Sequence, residues 1–262
     1  MENTRLLGIV CSILYTFFTI PVHAAPVSGQ GTWETTLEGR DLDGDAATIE
    51  AFYDTVLDIT WLADAGAGCD GTRASALAWV DSLSYTVGDN TWDAWRLPHS
   101  RRVDGRYDFI NPDFNLSFDG STDIGYNISA PGTVYVGSMG SELAHLFYNT
   151  LGNKAIYDTS GNYPQPGWGL SNSGPFMNID AFVDLQAGII HAYWTRWIAN
   201  PGDNPFVFSF GIGSQDHLVG VTGVPWLTSN EIWVVHDGDD RRSSRLLNHQ
   251  GILWTATWTI MC

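Results

Sequence analysis

Short aromatic and β-branched runs, each cut off by Gly, Asn, Asp or Ser, fill the chain from Trp33 to His236. That punctuation limits most of the length to short strands joined by turns, since a long helix needs unbroken 3.6-residue periodicity. Thr32 to Leu37 alternates around Trp33 and reads as a strand. Asp41-Leu42-Asp43-Gly44-Asp45 is a turn by composition, and Phe52 to Trp61 reads as one half-buried strand. Further strands are expected over Ile189 to Trp197, Phe206 to Ile212 and Glu231 to His236. Two stretches break the pattern. Ala76, Leu77, Val80 and Leu83 share one helical face and predict a helix over Arg73 to Leu83 capped by Thr72. Ser141 caps a second helix, lined by Leu143, Leu146, Phe147 and Leu151 and closed by Gly152. Two helices with many short antiparallel strands give an α+β fold. No linker divides residues 25–240, so one domain is expected there, and no internal repeat of solenoid or propeller period is visible.

The N-terminus carries an address. Arg5 precedes the uncharged run Leu6 to Ile20, and Val22-His23-Ala24 sets small residues at the positions a signal peptidase requires. The run is shorter than the about 20 residues of a spanning helix. Residues 1–24 therefore read as a signal peptide, and the mature protein as secreted, periplasmic or cell-surface. Cleavage removes one charge of each sign, Glu2 and Arg5, so the net charge stays at −17. Such a surface repels nucleic acid and anionic lipid and favours neutral ligands or cations. With 44% hydrophobic residues and twelve Trp, the acidity does not signal disorder. Cys69 and Cys262 are the mature cysteines and allow one disulfide, whose formation the sequence leaves open. Residues 241–262 carry Arg241, Arg242 and Arg245 without an acid and read as a divergent tail with no assigned role.

Several boxes stand in register: Gly39-Arg40-Asp41-Leu42-Asp43-Gly44, then Tyr53-Asp54-Thr55-Val56-Leu57-Asp58-Ile59-Thr60-Trp61-Leu62, then Trp95-Arg96-Leu97-Pro98. Ser141-Glu142-Leu143-Ala144-His145-Leu146, Gly174-Pro175-Phe176 and Tyr193-Trp194 follow in order. Over about residues 29 to 240 this resembles the DUF1566 group, also called the Lcl C-terminal domain family, of bacterial surface and secreted proteins. The Trp-Arg-Leu-Pro box and its Glu-bearing helix also resemble formylglycine-generating-enzyme-type domains. Both resemblances imply a C-type-lectin-like architecture. The chain departs from the family pattern in the some forty residues between Pro98 and Glu142, in Thr195-Arg196-Trp197 after Tyr193-Trp194, and in lacking a Pro-Glu-Pro sorting tail.

Trp95 and Leu97 read as core. Arg96 between them needs a buried partner, for which Glu142 in the first turn of its helix is the candidate. Catalytic signatures are missing: no His-Glu-x-x-His, no Gly-x-Ser-x-Gly and no phosphate-cradling loop. The copper chemistry of the formylglycine-generating enzymes needs more than the single internal Cys69. Among His99, His145, His191, His217, His236 and His249 no two have metal-ligand spacing, so a zinc site would require long-range convergence. Calcium is the candidate ion: Asp41, Asp43 and Asp45 alternate as loop ligands do, though Ala46 and Phe52 exclude an EF-hand, and Asp237-Gly238-Asp239-Asp240 offers a second oxygen cluster. Solvated acidic turns are the plainer reading of both. Trp92, Trp168, Trp194, Trp197 and Trp226 lie beside turn residues, where aromatics stack on sugars or anchor protein contacts. Asn115 and Asn127 open glycosylation sequons that mean little in a bacterial exporter context. The expectation is a binding module for carbohydrate or another extracellular polymer. The alternatives are an adhesive surface protein that binds protein partners and a hydrolase using paired carboxylates.

Overall fold

A computed structural model describes residues 24–68, 72–103, 116–187, 189–197, 206–217 and 227–239. A single helical turn, α1 (Trp33–Thr36), leads into β1 (Leu37–Arg40), β2 (Ala51–Asp54) and β3 (Ile59–Leu62). After α2 (Arg73–Ser82) come the hairpin β4 (Tyr85–Val87) and β5 (Asn90–Trp92), then β6 (His99–Ser100) and β7 (Gly125–Tyr126). The next helix, α3 (Glu142–His145), continues as a π-helical turn through Leu146–Thr150. The remainder is β8 (Val183–Asp184), β9 (Ile189–Trp194), β10 (Arg196–Trp197), β11 (Phe206–Ser209), β12 (Ser214–His217), β13 (Leu227–Glu231) and β14 (Val235–Asp237).

Two principal sheets result. The first has the order β1-β2-β3-β14 and is antiparallel throughout, so the last described strand closes on the early hairpin. The second has the order β13-β9-β11-β12-β7, with β8 also paired to β9. Sheet and helix segregate as in α+β proteins. Two pairings depart from the antiparallel expectation: β13 runs parallel to β9, and β10 parallel to β6. No helix among the described residues is long and apolar enough to cross a membrane.

Both expected helices form. Thr72 caps α2 by accepting the Ser75 amide, and Ala76 and Val80 are buried. The Ser141 hydroxyl accepts the Ala144 amide of α3. Beyond His145 the ladder widens, with the Leu151 amide donating to the Leu146 carbonyl at 2.8 Å. Gly152 ends it at φ +68°, and a Cβ there would lie 2.6 Å from the Gly31 nitrogen. Only glycine satisfies both conditions.

Two strand expectations are corrected. Thr32 to Leu37 begins as α1, because the Thr35 and Thr36 hydroxyls donate to the Thr32 carbonyl and hold a helical turn. Phe52 to Trp61 is a hairpin, since Asp54 Oδ1 accepts the Val56 and Leu57 amides and turns the chain, with Asp58 at φ +54°. The late strands are also shorter than expected: Phe206 to Ile212 turns after Ser209, and Glu231 to His236 divides into the end of β13 and most of β14.

The core lies between the sheets. Trp233 is fully buried at its centre, with ring centroids 5.0 Å from Phe176, 5.3 Å from Trp61 and 5.6 Å from both Tyr193 and Phe210. Phe147 of the π turn packs edge-on against Phe208 and Phe210. Trp95 and Leu97 are buried, as their places beside a buried arginine require.

Two arginines tie the sequence-distant parts together. Arg96 grips Glu142 in a fork, Nη1 to Oε2 and Nη2 to Oε1, each at 2.8 Å, and also donates to Asp237. The His99 amide donates to the same Glu142 oxygen at 2.6 Å. Arg40 forks onto Asp239 at 2.8 Å, binds Glu38, and lies over the Tyr53 ring. Where a calcium cluster was expected over Asp237 to Asp240, Asp237 and Asp239 instead serve as arginine counter-ions, and Asp240 lies outside the described residues. Burial raises the Glu142 carboxyl, but hydrogen bonds from the His99 side chain, whose Nδ1 lies 3.5 Å from Oε1, and from Arg96, with the arginine's charge, outweigh it and lower the pKa to about 2. A lowered folded pKa contributes stability that is full above the unfolded value of 4.5 and is lost as pH falls toward 2. The contribution is about 3 kcal/mol. Melting curves of wild type and Glu142→Gln should therefore converge between pH 4.5 and pH 2. A gap that stays constant with pH would contradict this assignment.

Candidate functional site

The second sheet has two faces. In β9 and β11 alternate side chains point oppositely, so Tyr193 and Phe208 enter the core while Ile190, Ala192, Val207 and Ser209 floor a groove on the other side. The groove measures about 460 Å³, within the range of small-ligand clefts. One wall is aromatic. Tyr126 and Tyr157 lie 4.7 Å apart, Tyr157 and Tyr163 4.9 Å apart, and Phe118 backs them by stacking on Tyr126 at 11° between planes. Leu116, Leu185 and Asp216 border the opening.

The wall is held by buried polar groups rather than by regular structure. Asn127, at φ +58°, donates through Nδ2 to the carbonyls of Phe118 and Tyr157 at 2.7 and 2.9 Å. Its own amide donates to the Tyr148 hydroxyl, which in turn donates to the Gly213 carbonyl. Asn127 is 5% exposed, so this sequon asparagine is a structural clamp. The Gln165 amide group donates to the Ala155 and Tyr157 carbonyls, both at 2.8 Å. Gly125 lets β7 approach Ser117: a Cβ would fall 2.1 Å from the Ser117 oxygen. Behind the floor, Gln215 accepts the Ser100 and Ser141 hydroxyls and donates to the Asp123 carbonyl, joining β12 to the start of α3.

Two features give the groove chemistry. Burial, with the nearby Tyr157 and Asp216, pushes the Tyr126 phenol well above its ordinary pKa, so it remains protonated. Ser209 is 2% exposed and its hydroxyl finds no hydrogen-bond partner among the described residues. A buried hydroxyl without a partner is costly, and because this oxygen is shielded from solvent just under the floor, a bound molecule can supply the bond only where the floor side chains yield. Apolar floor, tyrosine wall and a few directed oxygens suit a neutral molecule with apolar faces and a hydroxylated edge.

The tryptophans singled out in the sequence do not build this groove. Trp194, paired with Val207 on the groove-side face of β9, is 6% exposed and is not among the lining residues, which corrects its reading as a ligand contact; Trp92 is buried in the core. Strand residues that adjoin turns are still buried when a second layer covers them. Trp168 is half-buried in the loop before Gly169, away from the groove lining. Trp226, Cys69, Cys262, residues 1–23 and the tail lie outside the described residues, as does the side chain of Trp197. Tyr126, Tyr157, Tyr163 and Ser209 were the residues missed. The signal that flagged tryptophans, an aromatic beside turn residues, applies equally to the tyrosines of 126–163.

The acidic turn also differs from expectation. Asp41 and Asp43 converge with Glu50, while Asp45 stands outside the set. Each aspartate caps the turn: Asp41 accepts the Asp43 and Gly44 amides, Asp43 that of Asp45, and Asp45 that of Ala47. Glu50 accepts the Leu42 amide and closes the loop. These are the hydrogen bonds of an acidic turn. A search of family models, of curated proteins and of solved structures finds no match to this chain.

Proposed function

We propose that the chain is an extracytoplasmic binding module that seats a carbohydrate or similar hydroxylated polymer in the tyrosine-walled groove. The cleft of about 460 Å³ with its wall of Tyr126, Tyr157 and Tyr163 carries the reading. The unpaired Ser209 hydroxyl just under its floor adds a hydrogen bond that a ligand hydroxyl would complete if the floor yields. Tyr163, half exposed and backed by Tyr157, offers a ring face for the apolar side of a sugar, and the protonated Tyr126 and Asp216 offer a donor and an acceptor. Among the described lining residues Asp216 is the one carboxylate, whereas glycoside hydrolysis needs two. Binding is therefore favoured over hydrolysis. The signal-like N-terminus supports a secreted or surface setting, and the shared boxes support kinship with the Lcl C-terminal domain family and its C-type-lectin-like architecture. Closure of the first sheet by its last strand, β14, is compatible with that architecture.

A glycan array tests the proposal. Wild-type protein is expected to give discrete signals, with Tyr163→Ala weakening the best by about three- to tenfold. Tyr163 is half exposed, so its loss leaves the fold intact. Uniform silence, or signals indifferent to Tyr163→Ala and Tyr157→Ala alike, would count against the groove.

A further inference from the structure

On the other face of the second sheet, three ligating side chains from separate segments converge. Asp180, just before β8, His191 of β9 and Glu231 at the end of β13 bring one ligand atom each within 4.8 Å of one another. His191 Nδ1 lies 2.6 Å from Asp180 Oδ2. All three are partly buried.

The arrangement is built into the backbone. Asp180 Oδ1 accepts the Phe182 amide at 2.8 Å, which leaves Oδ2 aimed at the imidazole. The Asp180 amide donates to the hydroxyl of fully buried Tyr193 at 2.6 Å, fixing this segment to β9. The His191 ring rests against Phe182, with centroids 4.9 Å apart, and its amide donates to the Phe182 carbonyl. Glu231 reaches the cluster because β13 pairs in parallel with β9, setting it opposite Tyr193. The carboxylate that orients the histidine is thus itself oriented, as in preorganised metal sites.

We propose that Asp180, His191 and Glu231 form a binding site for a first-row divalent transition metal, with zinc the representative ion. One imidazole nitrogen and two carboxylate oxygens suit zinc or manganese, whereas calcium takes oxygen alone. Three protein ligands leave further coordination positions to water or a ligand atom. The donor set separates this site from the Asp41, Asp43 and Glu50 turn, which offers only oxygens, already engaged by backbone amides.

The test is calorimetric titration of EDTA-stripped full-length protein with zinc chloride and, separately, calcium chloride. The expected result is one saturable zinc site that both His191→Gln and Glu231→Gln weaken at least tenfold, while Asp43→Asn leaves it unchanged. Near-UV circular dichroism verifies each variant's fold. Cobalt(II) loading of the wild type should give visible ligand-field bands, which zinc abolishes. Absence of saturable zinc binding would overturn the proposal. So would zinc binding that survives both substitutions, or calcium binding as tight as zinc.

Discussion

Arg96→Ala is expected to cost about 3–5 kcal/mol of folding stability, because it strands a buried carboxylate. Arg96 and Glu142 are 8% and 7% exposed, and the fork between them joins the loop after β5 to the first turn of α3. Without the guanidinium, Glu142 keeps the His99 amide and the His99 imidazole, whose Nδ1 lies 3.5 Å from Oε1, but no full positive charge, and must desolvate its charge or bind a proton. Asp237 loses the same partner but stands mostly in solvent, so it adds little. For a chain of this size the melting temperature should fall by roughly 6–20 °C. Arg96→Met with Glu142→Leu should recover part of that loss, since an apolar pair replaces the stranded charge, though the His99 amide then goes unmatched. Urea denaturation of the single and double variants measures both. A single-variant loss below about 1 kcal/mol would show that the fork contributes little net stability.

Trp233→Ala should do at least as much damage. Truncating a buried large aromatic removes about 3–5 kcal/mol through lost transfer energy and the cavity left behind. Here the ring touches Trp61, Phe176, Tyr193 and Phe210, and its indole N–H donates to the Leu62 carbonyl at 2.8 Å. The variant therefore also leaves a buried carbonyl without its donor. Thermal melts should show the loss, and the near-UV circular dichroism of the coupled indoles Trp61 and Trp233 should collapse. A fully cooperative variant with an unchanged near-UV spectrum would place the centre of the core elsewhere.

Helices were legible where local chemistry decides them. Thr72 and Ser141 act through amides three residues on and Gly152 through its own positive φ, and the caps form where the sequence places them. The Arg96–Glu142 contact was legible for another reason: a charge wedged between core residues must be answered, and few acids sit at a helix start. Asp237 and Asp239 looked like cation ligands because their cations, Arg96 and Arg40, are distant in sequence. The Asp54 turn was hidden inside an aromatic, β-branched run, since one side-chain hydrogen-bonding pattern overrode the strand preference around it. The groove was least visible. Its floor depends on the register of β9 with β11, and its wall on Asn127 clamping two loops, neither of which has a local sequence signature.

Ser209→Ala probes the groove most directly, with stability and binding to the strongest array glycan measured on the same protein. If the hydroxyl awaits a ligand, its removal leaves the unliganded fold as stable or more so and weakens glycan binding by about five- to tenfold. A destabilised variant whose glycan binding is unchanged would contradict the account, because the hydroxyl would then serve the fold alone.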